Sequence, residues 1–134
     1  MPKSVKDMLA EANGSVQKLP PSEAAKMMAG KMMAGEDVLI VDVRDPSEVE
    51  KSGKIKGAVN VSRGMLEFRA DPESQYHNPA FQQGKTVLTY CASGGRSALA
   101  GQTLKEMGYR TVYNIGGFKE LADAGLETEP ASQT

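Results

Sequence analysis

Apolar residues recur along this chain in two rhythms, and the rhythms alternate. Val5, Met8, Leu9 and Ala12 stand at i, i+3, i+4 and i+7, the stripe of an amphipathic helix. Ser4 is its expected N-cap and Asn13-Gly14 its expected end, which places an N-terminal helix over 4–12. Val16 to Leu19 reads as a short strand, and Pro20-Pro21-Ser22-Glu23 opens a second helix with Ser22 as N-cap. That helix carries Met27-Met28-Ala29-Gly30, repeated as Met32-Met33-Ala34-Gly35, which together hold half of the chain's eight methionines. Five residues advance a helix by about 140° past a full turn, so the two Met pairs do not share a face. The plain expectation is a well-buried helix with methionine as core filler and a frayed, glycine-marked end. A Met-rich partner surface is the sharper alternative.

The period then changes. Val38-Leu39-Ile40-Val41-Asp42-Val43 is a continuous β-branched run, the pattern of a central parallel strand covered on both faces. Shorter strands are expected at Ala58 to Val61, Thr86 to Tyr90 and Thr111 to Ile115. Between them lie helical stretches: Pro46 to Lys51, capped by Asp45 with Pro46 at its first position, Gly64 to Ala70, Arg96 to Met107 stopped by Gly108, and Phe118 to Ala124 ended by Gly125. Asp71 to Gly84 is polar, holds Pro72 and Pro79, and reads as a long loop of the kind that is often functional. The tail from Glu127 to Thr134 reads as frayed. Strands alternating with helices call for an α/β fold: a parallel sheet with helices on both faces. No linker divides the chain, so residues 1–134 are expected to form one domain with a core over about 16–126.

Composition narrows the function. Lys+Arg 16 against Asp+Glu 17 leaves a net charge of −1, so no electrostatic footprint marks nucleic acid or an anionic membrane as a partner. No apolar run approaches the length of a membrane helix, and the first residues lack the apolar core of a secretory signal, so a cytoplasmic location is expected. The chain holds one cysteine, Cys91, and one histidine, His77. A single Cys excludes an intramolecular disulfide and a Cys-rich zinc site, and neither a metal nor a cofactor is expected.

Cys91 is also placed where chemistry is done. It ends the Thr86 to Tyr90 strand, and ligands of open α/β sheets bind beyond the carboxyl ends of strands. The segment Cys91-Ala92-Ser93-Gly94-Gly95-Arg96-Ser97 then leads into a helix with little side-chain bulk except at Arg96. The glycines allow a turn whose N–H groups point inward as an anion nest. The positive end of the following helix adds to that field. Both effects favour the thiolate, which is the nucleophilic form. Arg96 offers a planar, permanently charged fork for an anionic substrate.

Three stretches now resemble one family. Asp42-Val43-Arg44-Asp45 with Glu48, Gly53, Ile55, Gly57, Ala58 and Asn60 is the first. Cys91 to Ser97 is the second. Val112-Tyr113-Asn114-Ile115-Gly116-Gly117-Phe118 with Ala124-Gly125-Leu126 is the third. In this order they resemble the single-domain rhodanese-like sulfurtransferases. The resemblance implies a rhodanese-like three-layer fold with a central, mostly parallel five-stranded sheet. It implies that Cys91 takes a sulfane sulfur as a persulfide and passes it on, a ping-pong reaction. The loop residues Ala92, Ser93, Gly94, Gly95, Arg96 and Ser97 would hold the sulfur. The expected partners are a small-molecule sulfur donor, thiosulfate or a persulfide, and a thiol, cyanide or protein acceptor. The chain departs from the family where Lys54 replaces a His, where Leu121 replaces a Trp, and where Ala92 replaces the basic residue of thiosulfate-using relatives.

Two other functions compete. Cysteine phosphatases that share this fold place five residues between Cys and Arg; four lie between Cys91 and Arg96. A non-catalytic persulfide carrier or interaction module is the second. Of the remaining residues, Asp42 and Arg44 are expected to be scaffold ion pairs. Arg63 and Arg69 are candidates for the pocket rim. His77 is expected to be an exposed loop histidine, and Asp71 is the one carboxylate considered as a general acid.

Overall fold

A computed structural model describes residues 2–131. Its core is a five-stranded sheet, β1 (Gln17–Lys18), β2 (Val38–Asp42), β4 (Val59–Asn60), β5 (Thr86–Cys91) and β6 (Thr111–Gly117), in the order β1-β6-β5-β2-β4. Every pairing in this sheet is parallel. The alternation of strand side chains divides the core into two layers. Leu39, Val41, Val87 and Val112 face one side, packed with Leu66 and Ala70 of α4 (Leu66–Ala70) and Ala100 and Leu104 of α5 (Gly95–Glu106). Ile40, Leu88, Tyr90 and Ile115 face the other, against Ala24 of α2 (Pro21–Met33) and Leu121 of α6 (Phe118–Asp123). α1 (Val5–Ser15) lies on α5. The fold is thus α/β with helices on both faces, and the helices seal strands that are apolar on both sides.

Parallel pairing carries all the strand C-termini to one edge. Asp42, Asn60, Cys91 and Gly117 end four neighbouring strands. α3 (Pro46–Ser52) starts beside that edge, with Glu48 accepting the N–H of the N-cap residue Asp45 and Pro46 in the first turn. Asp71 to Gly84 contains no helix or strand.

Several local expectations change. α1 continues through Asn13 and Gly14 to Ser15, because the Val16 N–H still closes onto Ala12 O at 2.9 Å. α2 starts at Pro21 with Pro20 as N-cap, so Ser22 lies inside the helix rather than capping it. That helix is not well buried: Ala24 is its one buried residue, Met27 and Met28 pack partly on the core, and Met32 and Met33 are 79% and 89% exposed. The 140° offset of the two Met pairs is what separates them. The tail does not fray at 127. β7 (Thr128–Glu129) pairs antiparallel with β3 (Lys54–Ile55), and buried Lys54 joins its ammonium to Glu129 at 2.6 Å and to Ala58 O at 2.8 Å. Lys54 thus stands as a structural tie. The last part of the tail expectation, 132–134, lies outside the described residues. No described helix is long and apolar enough to cross a membrane.

Candidate active site

The register of β5 aims the cysteine. Val87, Thr89 and Cys91 point to the α5 side, while Leu88 and Tyr90 point away. Cys91 therefore ends its strand facing the first turn of α5, and it is 1% exposed. Between strand and helix, Gly94 adopts φ 103°, a left-handed conformation that glycine reaches without penalty. This turn brings the Gly94 N–H to 3.0 Å from Cys91 Sγ. Ser97 Oγ lies 3.5 Å from the same sulfur. Ala92 and Ser93 form the exposed side of the loop.

These contacts set the thiol. Burial alone would raise its pKa, but the Ser97 hydroxyl and the N–H groups of Ser97, Gly94 and Ser93 outweigh it. The net result lies below the ordinary value of 9.0. Hydrogen bonds to the charged form are together the dominant cause.

β6 supplies the wall behind the loop. Asn114, buried on the α5 side of the sheet, accepts the Ser97 hydroxyl at Oδ1 (2.7 Å) and donates from Nδ2 to Gly94 O (3.1 Å). Its Oδ1 also accepts the Gly116 N–H at 3.0 Å. A side chain at Gly117 would collide with Ala92 O. The closing Gly-Gly pair thus permits the loop to lie directly on the end of β6.

Arg96 points toward α3. Its two terminal nitrogens meet Glu48 Oε2 and Oε1 at 2.7 and 2.9 Å, a bidentate pair. Glu48 also accepts the Asp45 N–H at 2.9 Å. The Arg96 guanidinium, followed by that capping bond, holds the Glu48 carboxyl down to about 2, and the carboxylate raises the Arg96 pKa in return. One carboxylate therefore caps α3 and ties the Cys91 loop to it.

Asp42 and Arg44 lie next to this machinery in a buried network. Asp42 Oδ2 accepts from Arg44 Nη2 at 2.7 Å and from the Tyr90 hydroxyl at 2.9 Å. The Tyr90 oxygen in turn accepts the Ile55 N–H at 3.0 Å. Arg44 also reaches Ser52 Oγ (2.7 Å) and Gly53 O (2.8 Å), and its guanidinium carbon stands 4.4 Å from the Phe118 ring centroid. The pair joins β2, α3, β3 and α6, and no atom of it is hydrogen-bonded to the loop around Cys91 among the described contacts.

The two candidate rim arginines differ in their surroundings. Arg63 donates to Glu67 and to Thr103 Oγ1, both at 3.0 Å. Thr103 lies about two turns along α5 from its start, or roughly 12 Å. Arg69 is exposed on α4. His77 is half-buried, with Nε2 3.2 Å from Phe81 O in its own loop. Asp71 accepts the Glu73 N–H at 2.9 Å. The sequence reading missed Asn114 and the Glu48 partnership as parts of the site. Glu48 was readable as the third residue after an Asp N-cap, but its second partner lies 48 residues away. Asn114 was readable as a polar residue within an apolar strand, on the same face as Val112.

Residues 21–124 match the Rhodanese-like domain family. A protein named sulfurtransferase from Allochromatium vinosum is 30% identical over 103 residues, 76% of this chain and 88% of that relative. Two Bacillus subtilis relatives are longer, and the matched regions span 58% and 46% of their lengths. Among solved structures, a Rhodopseudomonas palustris protein of unknown function, described as a possible tyrosine phosphatase, superposes with a TM-score of 0.85. It is 45% identical, and 96% of each chain is covered. The polysulfide-sulfur transferase homodimer of Wolinella succinogenes superposes with a TM-score of 0.70 at 31% identity, covering 96% of this chain and 88% of its own.

Proposed function

The chain belongs to the Rhodanese-like domain family, and from that premise we propose that it is a sulfurtransferase working through a persulfide on Cys91. The single observation that carries this reading is the cradle. The sulfur is buried at the mouth of a helix N-terminus with a backbone N–H at 3.0 Å. A field of that kind stabilises the charge on a thiolate and on a persulfide alike.

The ionised sulfur attacks the outer sulfur of the donor. A bond forms between Sγ and the transferred atom as the donor's own bond to that atom breaks. The leaving group, sulfite or a thiolate, departs with the electron pair. An acceptor nucleophile then attacks the outer sulfur and Cys91 leaves as thiolate, which returns the site to its starting state. Thiosulfate is one donor and cyanide one acceptor that fit this scheme. A persulfide or polysulfide donor fits the loop better. Ala92 brings no charge, and both arms of the Arg96 fork are bonded to Glu48 rather than turned to a doubly charged anion. The sulfur cannot be resolved within the chain, which has one cysteine, so a thiol or protein acceptor completes the cycle. A reducing, cytoplasmic setting suits a free thiol of this kind.

Phosphatase chemistry is the second reading, favoured by the description of the Rhodopseudomonas palustris relative. Against it stand the four residues between Cys91 and Arg96 and the engagement of Arg96 by Glu48. A phosphoryl group presents three equatorial oxygens to be held. Intact mass spectrometry after incubation with thiosulfate or polysulfide separates the readings. A Cys91-dependent gain of about one sulfur atom, reversed by cyanide or a thiol, is the expected covalent intermediate. Cys91→Ser should show none. Cys91-dependent hydrolysis of an aryl phosphate without sulfur gain would establish the phosphatase instead. An unmodified chain under every donor, with no phosphatase activity, would leave a non-catalytic module.

A further inference from the structure

Asn114 holds three hydrogen bonds whose polarity is fixed by chemistry. Gly116 N–H is a donor and needs the amide oxygen; Gly94 O is an acceptor and needs the amide nitrogen. The side chain therefore has one orientation, and its Oδ1 faces Ser97 at 2.7 Å. An amide oxygen carries no hydrogen, so the Ser97 hydroxyl must be the donor. A hydroxyl has one hydrogen to give. With that hydrogen on Asn114, Ser97 turns lone pairs toward Cys91 Sγ at 3.5 Å, and a thiol S–H is the group that satisfies them. When the thiol ionises, the lone pairs face a negative sulfur. The contact becomes favourable only if the hydroxyl hydrogen turns from Asn114 to the sulfur. Asn114 Oδ1 then keeps one hydrogen bond, from Gly116.

The geometry points to Asn114 as a positioning residue for Cys91: it holds the loop by Gly94 O and competes with the sulfur for the Ser97 hydrogen. The competition rests on the reading of Cys91 as the nucleophile, but it concerns the thiol and not the fate of any sulfur it carries. The charged groups around the site are few. Arg96 on α5 and Glu48 on α3 neutralise each other, and Asp45, whose N–H Glu48 accepts, stands beside them. Glu120 on α6 accepts the Gly117 N–H, and Lys18 of β1 lies beside Gly116. Among the described residues none of these is hydrogen-bonded to the sulfur, and the Ser97 hydroxyl is the one side-chain group within hydrogen-bond distance of it.

Cys91 is the sole thiol, so the pH profile of alkylation by iodoacetamide reports it alone. The full chain is compared with Asn114→Leu, Ser97→Ala and the double variant. Removing the competitor frees the hydroxyl for the thiolate. The Asn114 change should move the alkylation midpoint about one pH unit further down with Ser97 present than in the Ser97→Ala background, the scale of one charge-assisted hydrogen bond. Equal shifts in the two backgrounds, or none in either, would overturn the proposal. A second measurement needs no Asn114 variant. The Asn114 side-chain carbonyl ¹³C resonance should titrate with the Cys91 midpoint in the unaltered chain and lose that titration in Ser97→Ala. A titration of equal size in Ser97→Ala, where the thiolate charge still forms nearby, would show that only the charge is being sensed and would overturn the proposal. Both readouts follow the thiol, so a chain that fails to transfer sulfur leaves them decisive.

Discussion

Replacing Glu48 by glutamine isolates the tie between α3 and the Cys91 loop. The amide of Glu48→Gln keeps an oxygen to accept the Asp45 N–H, so the helix cap survives while the charge on Arg96 loses its partner. The pair is bidentate at 2.7 and 2.9 Å, yet the side chains are 37% and 35% exposed. A drop in the Glu48 pKa from 4.5 to about 2 would by linkage correspond to about 3 kcal/mol. The pair is a third exposed, however, and part of the drop comes from the Asp45 N–H that glutamine also binds, so solvent screening leaves about 1 kcal/mol at neutral pH. The sign with pH follows from the carboxyl, whose ordinary value of 4.5 is depressed to about 2 in the folded chain. A depressed acid stabilises fully above its unfolded pKa and loses that contribution as pH falls through the folded one. The stability difference between the two chains should therefore be constant above about pH 5 and shrink toward zero by about pH 2. Urea unfolding at a series of pH values measures it. A difference that stays the same from about pH 7 to about pH 2 would refute the reasoning, since it could not come from the carboxylate.

Two further substitutions probe the parts that flank this tie. Gly117→Ala sets a methyl group against Ala92 O; it should cost about 1–3 kcal/mol and slow Cys91 alkylation several-fold, and unchanged alkylation would mean that the loop does not rest on β6. Tyr90→Phe removes the donor to Asp42 and the acceptor for Ile55 N–H in a buried network. It should lower unfolding free energy by about 1.5–3 kcal/mol, and a thermal midpoint equal to that of the unaltered chain would contradict the network's role.

The large-scale order of the fold was legible because it depends on period. The run from Val38 to Val43 and the run from Thr86 to Tyr90 have no other stable use than buried parallel strands. The cradle around Cys91 was legible for a related reason: a cysteine at a strand end, a glycine turn and a helix start are contiguous in the chain. The parts that stayed hidden are those joined across distance. Glu48 and Arg96 meet only because α3 and α5 both begin at the same sheet edge. Asn114 serves the loop because β6 happens to be the neighbour of β5 rather than of β2. Lys54 finds Glu129 through a two-stranded ribbon that no local signal announces. The methionine repeat misled for a different cause: its residues are apolar enough for a core, but their angular offset sends Met32 and Met33 outward whatever their hydrophobicity.

The strand order also has a bearing on synthesis. β1 is made long before β6, its one partner among the described residues, with Gln17 beside Tyr113. β5 emerges before β6 as well, so Cys91 appears while the strand that brings Asn114 and Gly117 is still being made. The loop around the thiol therefore has neither its amide clamp nor its backing wall until β6 has been made. During that interval the bonds from Asn114 that hold Gly94 and Ser97 beside the sulfur are missing. The pairing of β6 with β5 is what holds the cradle around Cys91 in place.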